Sequence, residues 1–402
     1  MDETESQQRM WSRDFILICL SNLFVFLGFQ MLMPTLPLYL HTLGGSNFFL
    51  GLVVGGFTFS ALLIRPWTGN ALERFGRKVL LLIGLAFFAL SVGGMAVLTS
   101  LTLLFLVRLV QGFGFGIATT AAGTLATDLI PPKRRGEGMG YYGLSLNLAM
   151  AVGPVVGLMV VQRSGFVFLF LGAAVLVLVS FWMVMTIRYR PAPAKVSPPA
   201  GHAGDLRPLA QPASGWDRWV ERTALRPSIL MGLICVTFGG ISSFLPLYAQ
   251  QEGIGQVQWY FFLYAVCMMI VRPFTGRLYD QRGLGAIFFP GSLAMLAAML
   301  LLTQMNSLWH LLVAAVLNGA GYGSIQPALQ AWSVQDAPVN RKGMANATFF
   351  TFLDLGIGIG AVLSGALSHW IGYSGIYYLA ACAILAAMLL CVPFTRTSGP
   401  QL

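Results

Sequence analysis

Charge is what this chain has least of. Only 9% of its residues are charged, against roughly 25% in an ordinary soluble domain. A surface facing water needs a charged, mixed exterior, and this composition cannot supply one. Cysteine is sparse as well. Cys19, Cys235, Cys267, Cys382 and Cys391 all lie inside apolar runs, with no CxxC spacing and no histidine beside them. They read as small buried hydrophobes, so neither a disulfide frame nor a metal site is indicated. His41, His310 and His369 sit near the outer ends of apolar runs and His202 in a polar stretch, without metal-ligand spacing. No GxxxxGK[ST] phosphate loop occurs, so ATP-driven work has no support. A convergent nucleophile, base or metal constellation is also missing, which argues against an enzyme. No cofactor is implied.

What is present is apolar length. Hydrophobic residues make up 56% of the chain, gathered in runs of about 20, the length of a membrane-crossing helix. Alternating segments of about 10 residues, the mark of a transmembrane barrel, are absent. In hydrocarbon every backbone polar group needs a partner within its own segment, which makes the runs helices. Hydropathy and helix breakers predict twelve, at 14–39, 48–67, 78–98, 101–126, 138–161, 166–188, 228–249, 257–275, 284–304, 308–331, 343–367 and 373–395. The first run exceeds a signal-peptide core and lacks a small-x-small site after it, so it reads as a retained span. Most connections are short and make antiparallel neighbours. The exception, 189–227, holds Pro191, Pro193, Pro198, Pro199, Pro208 and Pro212 and reads as a linker. Within it, 216–226 is either a short interfacial helix, with Trp216, Trp219 and Val220 on one side, or a disordered tether. The expected organisation is a six-helix bundle over 1–188, a linker, and a second bundle over 228–402.

The net charge of +10 has a position as well as a sum. Of the 24 lysines and arginines, all but Arg163 and the intrahelical Arg108 fall in alternate loops, at the termini or in the linker. By the positive-inside rule both termini and the linker are cytoplasmic. The excess is topological, and nucleic acid is not expected as a partner.

The two halves repeat each other. RPWTGNALERFGRK, from Arg65 to Lys78, is answered by RPFTGRLYDQRG, from Arg272 to Gly283. Arg65, Pro66, Thr68, Gly69, Glu73 and Gly76 match Arg272, Pro273, Thr275, Gly276, Asp280 and Gly283. Leu36-Pro37-Leu38-Tyr39 recurs as Leu245-Pro246-Leu247-Tyr248, and Gln111-Gly112-Phe113-Gly114 as Asn318-Gly319-Ala320-Gly321. Both halves begin on one side, so they are parallel repeats, an arrangement that places a substrate near the midplane between them.

The loop after the second span carries Gly69, Glu73, Arg74, Gly76, Arg77 and Lys78 at the spacing G-x-x-x-D-R-x-G-R-K, with Glu for Asp. On this loop, the topology and the linker, the chain resembles the major facilitator superfamily over nearly its whole length. The resemblance implies that the loop latches the cytoplasmic side when the transporter faces outward. Gly69 would allow two helix ends to approach closely, and Gly76 a turn with positive φ. Glu73 would face a helix N-terminus or an arginine across the interface, with the start of span 11 as the docking end and Asp128 as a further partner. Asp280 occupies the second copy, which lacks the basic pair and is expected to be the weaker latch. The alternative for these residues is a solvated loop whose basic groups only set topology.

Span 5 resembles the family's antiporter motif G-x-x-x-G-P-x-x-G-G at Gly153, Pro154 and Gly157, with Ala149 and Leu158 in place of glycines. Plain helix packing is the competing reading. Arg108, ahead of Gln111 and Gly112, resembles the family's R-x-x-q-G motif, and in proton-coupled members this arginine is associated with proton transfer. It also reads as a structural arginine bonded to helix carbonyls. Asp354 is the one acid deep inside a span. Burial disfavours a carboxylate's charge unless a cation opposes it, so Asp354 is the candidate proton-coupling group. Alternatively Ser, Thr or Asn neighbours hold it to fix packing, or it binds substrate. The family architecture further implies a cavity lined from spans 1, 4, 7 and 10 with faces of 5, 8 and 11. Its candidate contacts are Asn22, Phe26, Gln30, Arg108, Gln111, Asn147, Ser243, Phe244, Tyr264, Asn318, Tyr322, Gln326, Asn346 and Phe350. The chamber is poor in acids, which favours neutral, zwitterionic or anionic cargo.

The expected protein is thus an all-α, monomeric, proton-coupled exporter of a small organic molecule, resembling drug:proton antiporters, in a bacterial inner membrane. A siderophore, metallophore or sugar exporter, an uncoupled uniporter or importer, and a membrane receptor or scaffold are the alternatives. The N-x-T at Asn346 lies within a span and implies no glycosylation.

Overall fold

The structure, a computed structural model, describes residues 11–131, 134–188, 220–335, 337–338 and 341–397. No strand is present among the described residues. The first half holds α1 (Arg13–Thr42), α2 (Asn47–Phe75), α3 (Arg77–Gly94), α4 (Leu101–Leu129), α5 (Arg135–Ser164) and α6 (Phe166–Thr186). The second holds α7 (Leu225–Gln251), α8 (Gln258–Arg282), α9 (Gly285–Thr303), α10 (Leu308–Gln335) and α11 (Lys342–Thr397). Helix α11 is broken at Gly372 (φ 68, ψ 179), between the last two expected spans. Among the described residues, ten helical segments are long and apolar enough to cross a bilayer. One of them, Met344–Pro393, is long enough to cover both of those spans, and Gln258–Arg272 is a shorter apolar helix.

Helix starts carry their own caps. Ser12 Oγ accepts from the Phe15 N–H at 3.1 Å and Ser46 Oγ from the Phe49 N–H at 3.3 Å, satisfying donors that a helix end leaves open. The repeat extends to the backbone. Gly76 (φ 85) and Gly283 (φ 74) close the two copies of the repeated phrase, and Gly165 (φ 88) and Gly372 (φ 68) form a second pair. A Cβ would be strained at each of these left-handed turns.

Each half has its own core. Phe15, Leu32, Phe88 and Phe170 are among the buried residues of the first, and Met231, Phe288, Met299 and Phe349 of the second. Lipid is as apolar as leucine, so small residues and close backbone approach hold such helices together. Helix α11 runs along α2, α5 along α8, and α1 against α7. A Cβ on Gly51 would strike the Ala361 carbonyl, and one on Gly365 the Asn47 carbonyl, so α2 and α11 touch through glycine. Phe244, Leu247 and Ile376 of the second half join the first half's core, while Ala151 and Leu158 join the second's. The halves are also tied at the end away from the basic loops. There the Tyr373 hydroxyl donates to Asn47 Oδ1 at 3.1 Å, and Gln162 Nε2 donates to the Gly255 carbonyl at 3.1 Å. Among the described residues, α4 and α5 form no packed interface with α10, nor α4 with α11.

Residues Arg222–Ala224 form a 3-10 turn that leads directly into α7. A buried acid stands just before the turn. Glu221 Oε2 pairs with Arg341 Nε at 2.5 Å, and its N–H donates to Thr348 Oγ1 at 3.0 Å. Trp216 and Trp219, assigned to an interfacial helix or tether, lie outside the described residues.

Candidate functional site

Among the described residues, an ion pair crosses the seam between the halves. Arg65, on α2 just before Pro66, places Nη1 2.6 Å from Asp354 Oδ2 on α11. Both side chains are about three-quarters buried, at 25% and 28% exposure. Each group therefore meets its counter-charge where water is scarce and Coulomb attraction is strong. Among the described residues, Asp354 is held by a cation from the opposite half and by no Ser, Thr or Asn.

Arg108 stands elsewhere. It is 1% exposed, donates from Nη1 to Gln111 Oε1 at 2.5 Å, and holds its guanidinium 4.2 Å above the Phe57 ring. The ring face stabilises the cation. Its Nε is buried without a partner. The structure brings Arg108 and Gln111 together and keeps both apart from Asp354. Arg272, the second half's copy of Arg65, donates from Nη2 to Gln326 Oε1 at 2.6 Å.

At the basic-loop end, Gly76 turns the chain into α3 with positive φ. Arg77 at the start of α3 then pairs with Asp128 near the end of α4, within one half. Lys78 donates to the carbonyls of Met185 and Ile187 at 2.8 Å each, covering acceptors that the end of α6 leaves open. Arg74 is exposed. Gly69 has open space beside it. Nothing lies within 4 Å of a Cβ built there, so no helix end approaches it closely in this arrangement. The side chains of Glu73 and Asp280 lie outside the described set.

Gly153 and Gly157 of α5 pack against Gln30 and Met31 of α1, and a Cβ on either would overlap them. Pro154 lines a small cavity between the halves, with Gln30, Met33, Pro34 and Met150 from the first half and Phe238, Ser242, Phe261 and Tyr264 from the second. Of the fourteen cavity candidates, only Gln30 and Tyr264 reach this cavity. Most others are held inside their own half. Asn22 Nδ2 donates to Ser145 Oγ at 2.6 Å, and its Oδ1 accepts from the Tyr142 hydroxyl at 2.8 Å, tying α1 to α5. Phe26 packs edge-on against Phe115 at 5.4 Å. Asn318 Nδ2 donates to the Tyr260 hydroxyl at 2.9 Å, and Asn346 Oδ1 accepts from Gln330 Nε2 at 3.0 Å. Tyr322 meets Cys235 Sγ at 3.8 Å. Ser243 is buried with its hydroxyl unpartnered, and Phe350 is half-buried against the second core. Phe244 crosses to the first half's core, and Asn147 is half-buried on α5. Among the described residues, no cluster of His, Cys, Asp or Glu could hold a metal ion.

The sequence reading missed Arg65 as the partner of Asp354 and Glu221 as a buried acid. The first had a signal, an arginine written twice just inside a span. The second had none, since hydropathy reads its neighbourhood as linker.

Two helical halves around a charged seam, in a chain with membrane-length helices, define a multi-pass membrane transporter. The Major Facilitator Superfamily model matches residues 18–289 and 253–401, and the chain belongs to that family of small-molecule transporters. It is similar to the staphylopine export protein of Staphylococcus aureus, 22% identical over 96% of this chain and 97% of that protein. It is 26% identical to the quinolone resistance protein NorA of the same organism, over 88% of this chain and 89% of NorA. The nucleoside transporter NupG shares the fold, with a TM-score of 0.72 at 13% identity over 96% of this chain and all of NupG.

Proposed function

We propose that this protein is a proton-coupled secondary transporter that exports a small organic molecule by alternating access. The observation that carries the reading is the ion pair between Arg65 and Asp354, at 2.6 Å across the seam. Protonation of Asp354 discharges the pair and removes one tie between α2 and α11. Re-ionisation restores it. Proton occupancy is thereby linked to whether the halves are joined at this depth, which is what coupling requires. Export follows the staphylopine and quinolone relatives, whose names record export and resistance.

In this reading the chain makes twelve spans, the basic loops, linker and termini face the cytoplasm, and a monomer sits in a bacterial inner membrane. Packing at the far end, with α4 and α5 separate from α10, supports a state open towards the basic loops. Glu73 and the α2–α3 loop then engage α11 in the opposite state. Arg108 serves proton transfer within the first half. The test is transport in proteoliposomes with an imposed pH gradient, wild type beside Asp354→Asn, over a panel of cationic, neutral and anionic compounds. Gradient-driven flux that the substitution abolishes is expected. Flux indifferent to the gradient would make the protein a uniporter, and no flux of any compound a receptor or scaffold.

A further inference from the structure

The two halves differ at one charged position. Arg65 and Arg272 are repeat mates, and at that same spacing Asp354 on α11 is the mate of Asn147 on α5. The flanking residues agree, since Leu146-Asn147-Leu148 answers Leu353-Asp354-Leu355 and Gly153 answers Gly360. Packing agrees as well. A Cβ on Gly153 would strike Gln30 of α1, and one on Gly360 would strike Val236 of α7, the repeat mate of α1. The halves are built alike, yet the first arginine meets a carboxylate and the second has an amide in that carboxylate's place.

Arg272 points inwards. Tyr260, Tyr264, Met268 and Arg272 recur every four residues along one face of α8, and Trp259, Phe262, Ile270 and Phe274 are exposed on another. One partner of Arg272 is the neutral Gln326, and its Nε is buried with none. Two turns away on the same face, the Tyr264 hydroxyl is also buried and unpartnered, and Tyr264 lines the cavity between the halves. Tyr264 and Tyr322 lie within electrostatic range of the guanidinium. Among the described residues, no carboxylate pairs with it. A guanidinium drawn out of water without a counter-charge is costly, and a carboxylate bound by charge-assisted hydrogen bonds offsets that cost.

We propose that Arg272, with Gln326, Tyr264 and Tyr322 around it, binds a carboxylate of the transported molecule, which supplies the acid that Asn147 does not. This names the cargo class of the transport reading and rests on it, but it needs neither proton coupling nor a direction of transport.

The test is calorimetric titration of the purified full-length protein in detergent at one pH. The probes are a panel of aromatic and aliphatic monocarboxylates, each beside its own amide, and inorganic phosphate. At least one acid should bind about tenfold or more tightly than its amide. Asn147→Asp writes in the missing acid and should abolish that preference. Arg272→Gln should abolish it too, while Arg272→Lys keeps part of it. The wild-type comparison stands even where a variant does not fold. The proposal is overturned if no acid outbinds its amide, or if the preference survives both Asn147→Asp and Arg272→Gln. Phosphate binding as tightly as the best acid also overturns it, assigning the arginine to phosphate or a lipid headgroup. Because no gradient is involved, failed antiport in vesicles leaves this result intact, and a failed acid preference leaves the antiport result intact.

Discussion

Asp354 of α11 accepts a hydrogen bond from Arg65 of α2 at 2.6 Å, joining residues from opposite halves of the molecule. Removing one partner leaves the other charge largely buried and unpaired, whereas removing both leaves neither. Arg65→Gln and Asp354→Asn should therefore be non-additive. The double variant should recover about 1–3 kcal/mol of the summed single losses in thermal stability. Strictly additive losses would show that the pair is geometric and not energetic.

Backbone contact between α2 and α11 gives a second expectation. A Cβ at Gly51 runs into the Ala361 carbonyl, and nothing lies within 4 Å of one at Gly172 on α6. Gly51→Val should lower stability by about 1–3 kcal/mol through overpacking, and transport should fall at equal expression. Gly172→Ala is the control and should change little. Thermal midpoints in detergent check both.

Lys78 closes the end of α6 by donating to two carbonyls. Lys78→Met keeps the stem and removes the donors. Each lost bond should cost about 0.5–1.5 kcal/mol, read as a lower thermal midpoint. An unchanged midpoint would mean that Lys78 acts only in setting topology.

The repeated loop is unequal, with Arg74, Arg77 and Lys78 in the first copy and Gln281, Leu284 and Gly285 at the matching places in the second. Glu73→Ala should impair transport more than Asp280→Ala at matched expression. Equal impairment would argue that the two copies latch alike.

The helices were legible because apolar length is a local property, summed over neighbours in the chain. Their ends were less so. Helices α2 and α8 continue to Phe75 and Arg282, beyond the expected 67 and 275. Hydropathy measures how long a segment stays apolar, not where its backbone hydrogen bonds stop. The duplication was legible too, down to the turns at Gly76 and Gly283, because a left-handed turn accepts glycine and little else.

By itself the sequence determined the membrane setting, the repeated phrases with their basic turn and the singular acid at Asp354. Those features depend on composition and order alone. Partnership was decided only in three dimensions. Arg65 and Asp354 meet because α11 runs along α2, while Arg108 stays with Gln111 and Phe57 inside its own half. Most polar cavity candidates are likewise consumed by bonds within one bundle, leaving Gln30 and Tyr264 on the cavity between the halves. Which buried group finds which partner depends on how helices are rotated and stacked, and spacing along one chain does not encode that rotation.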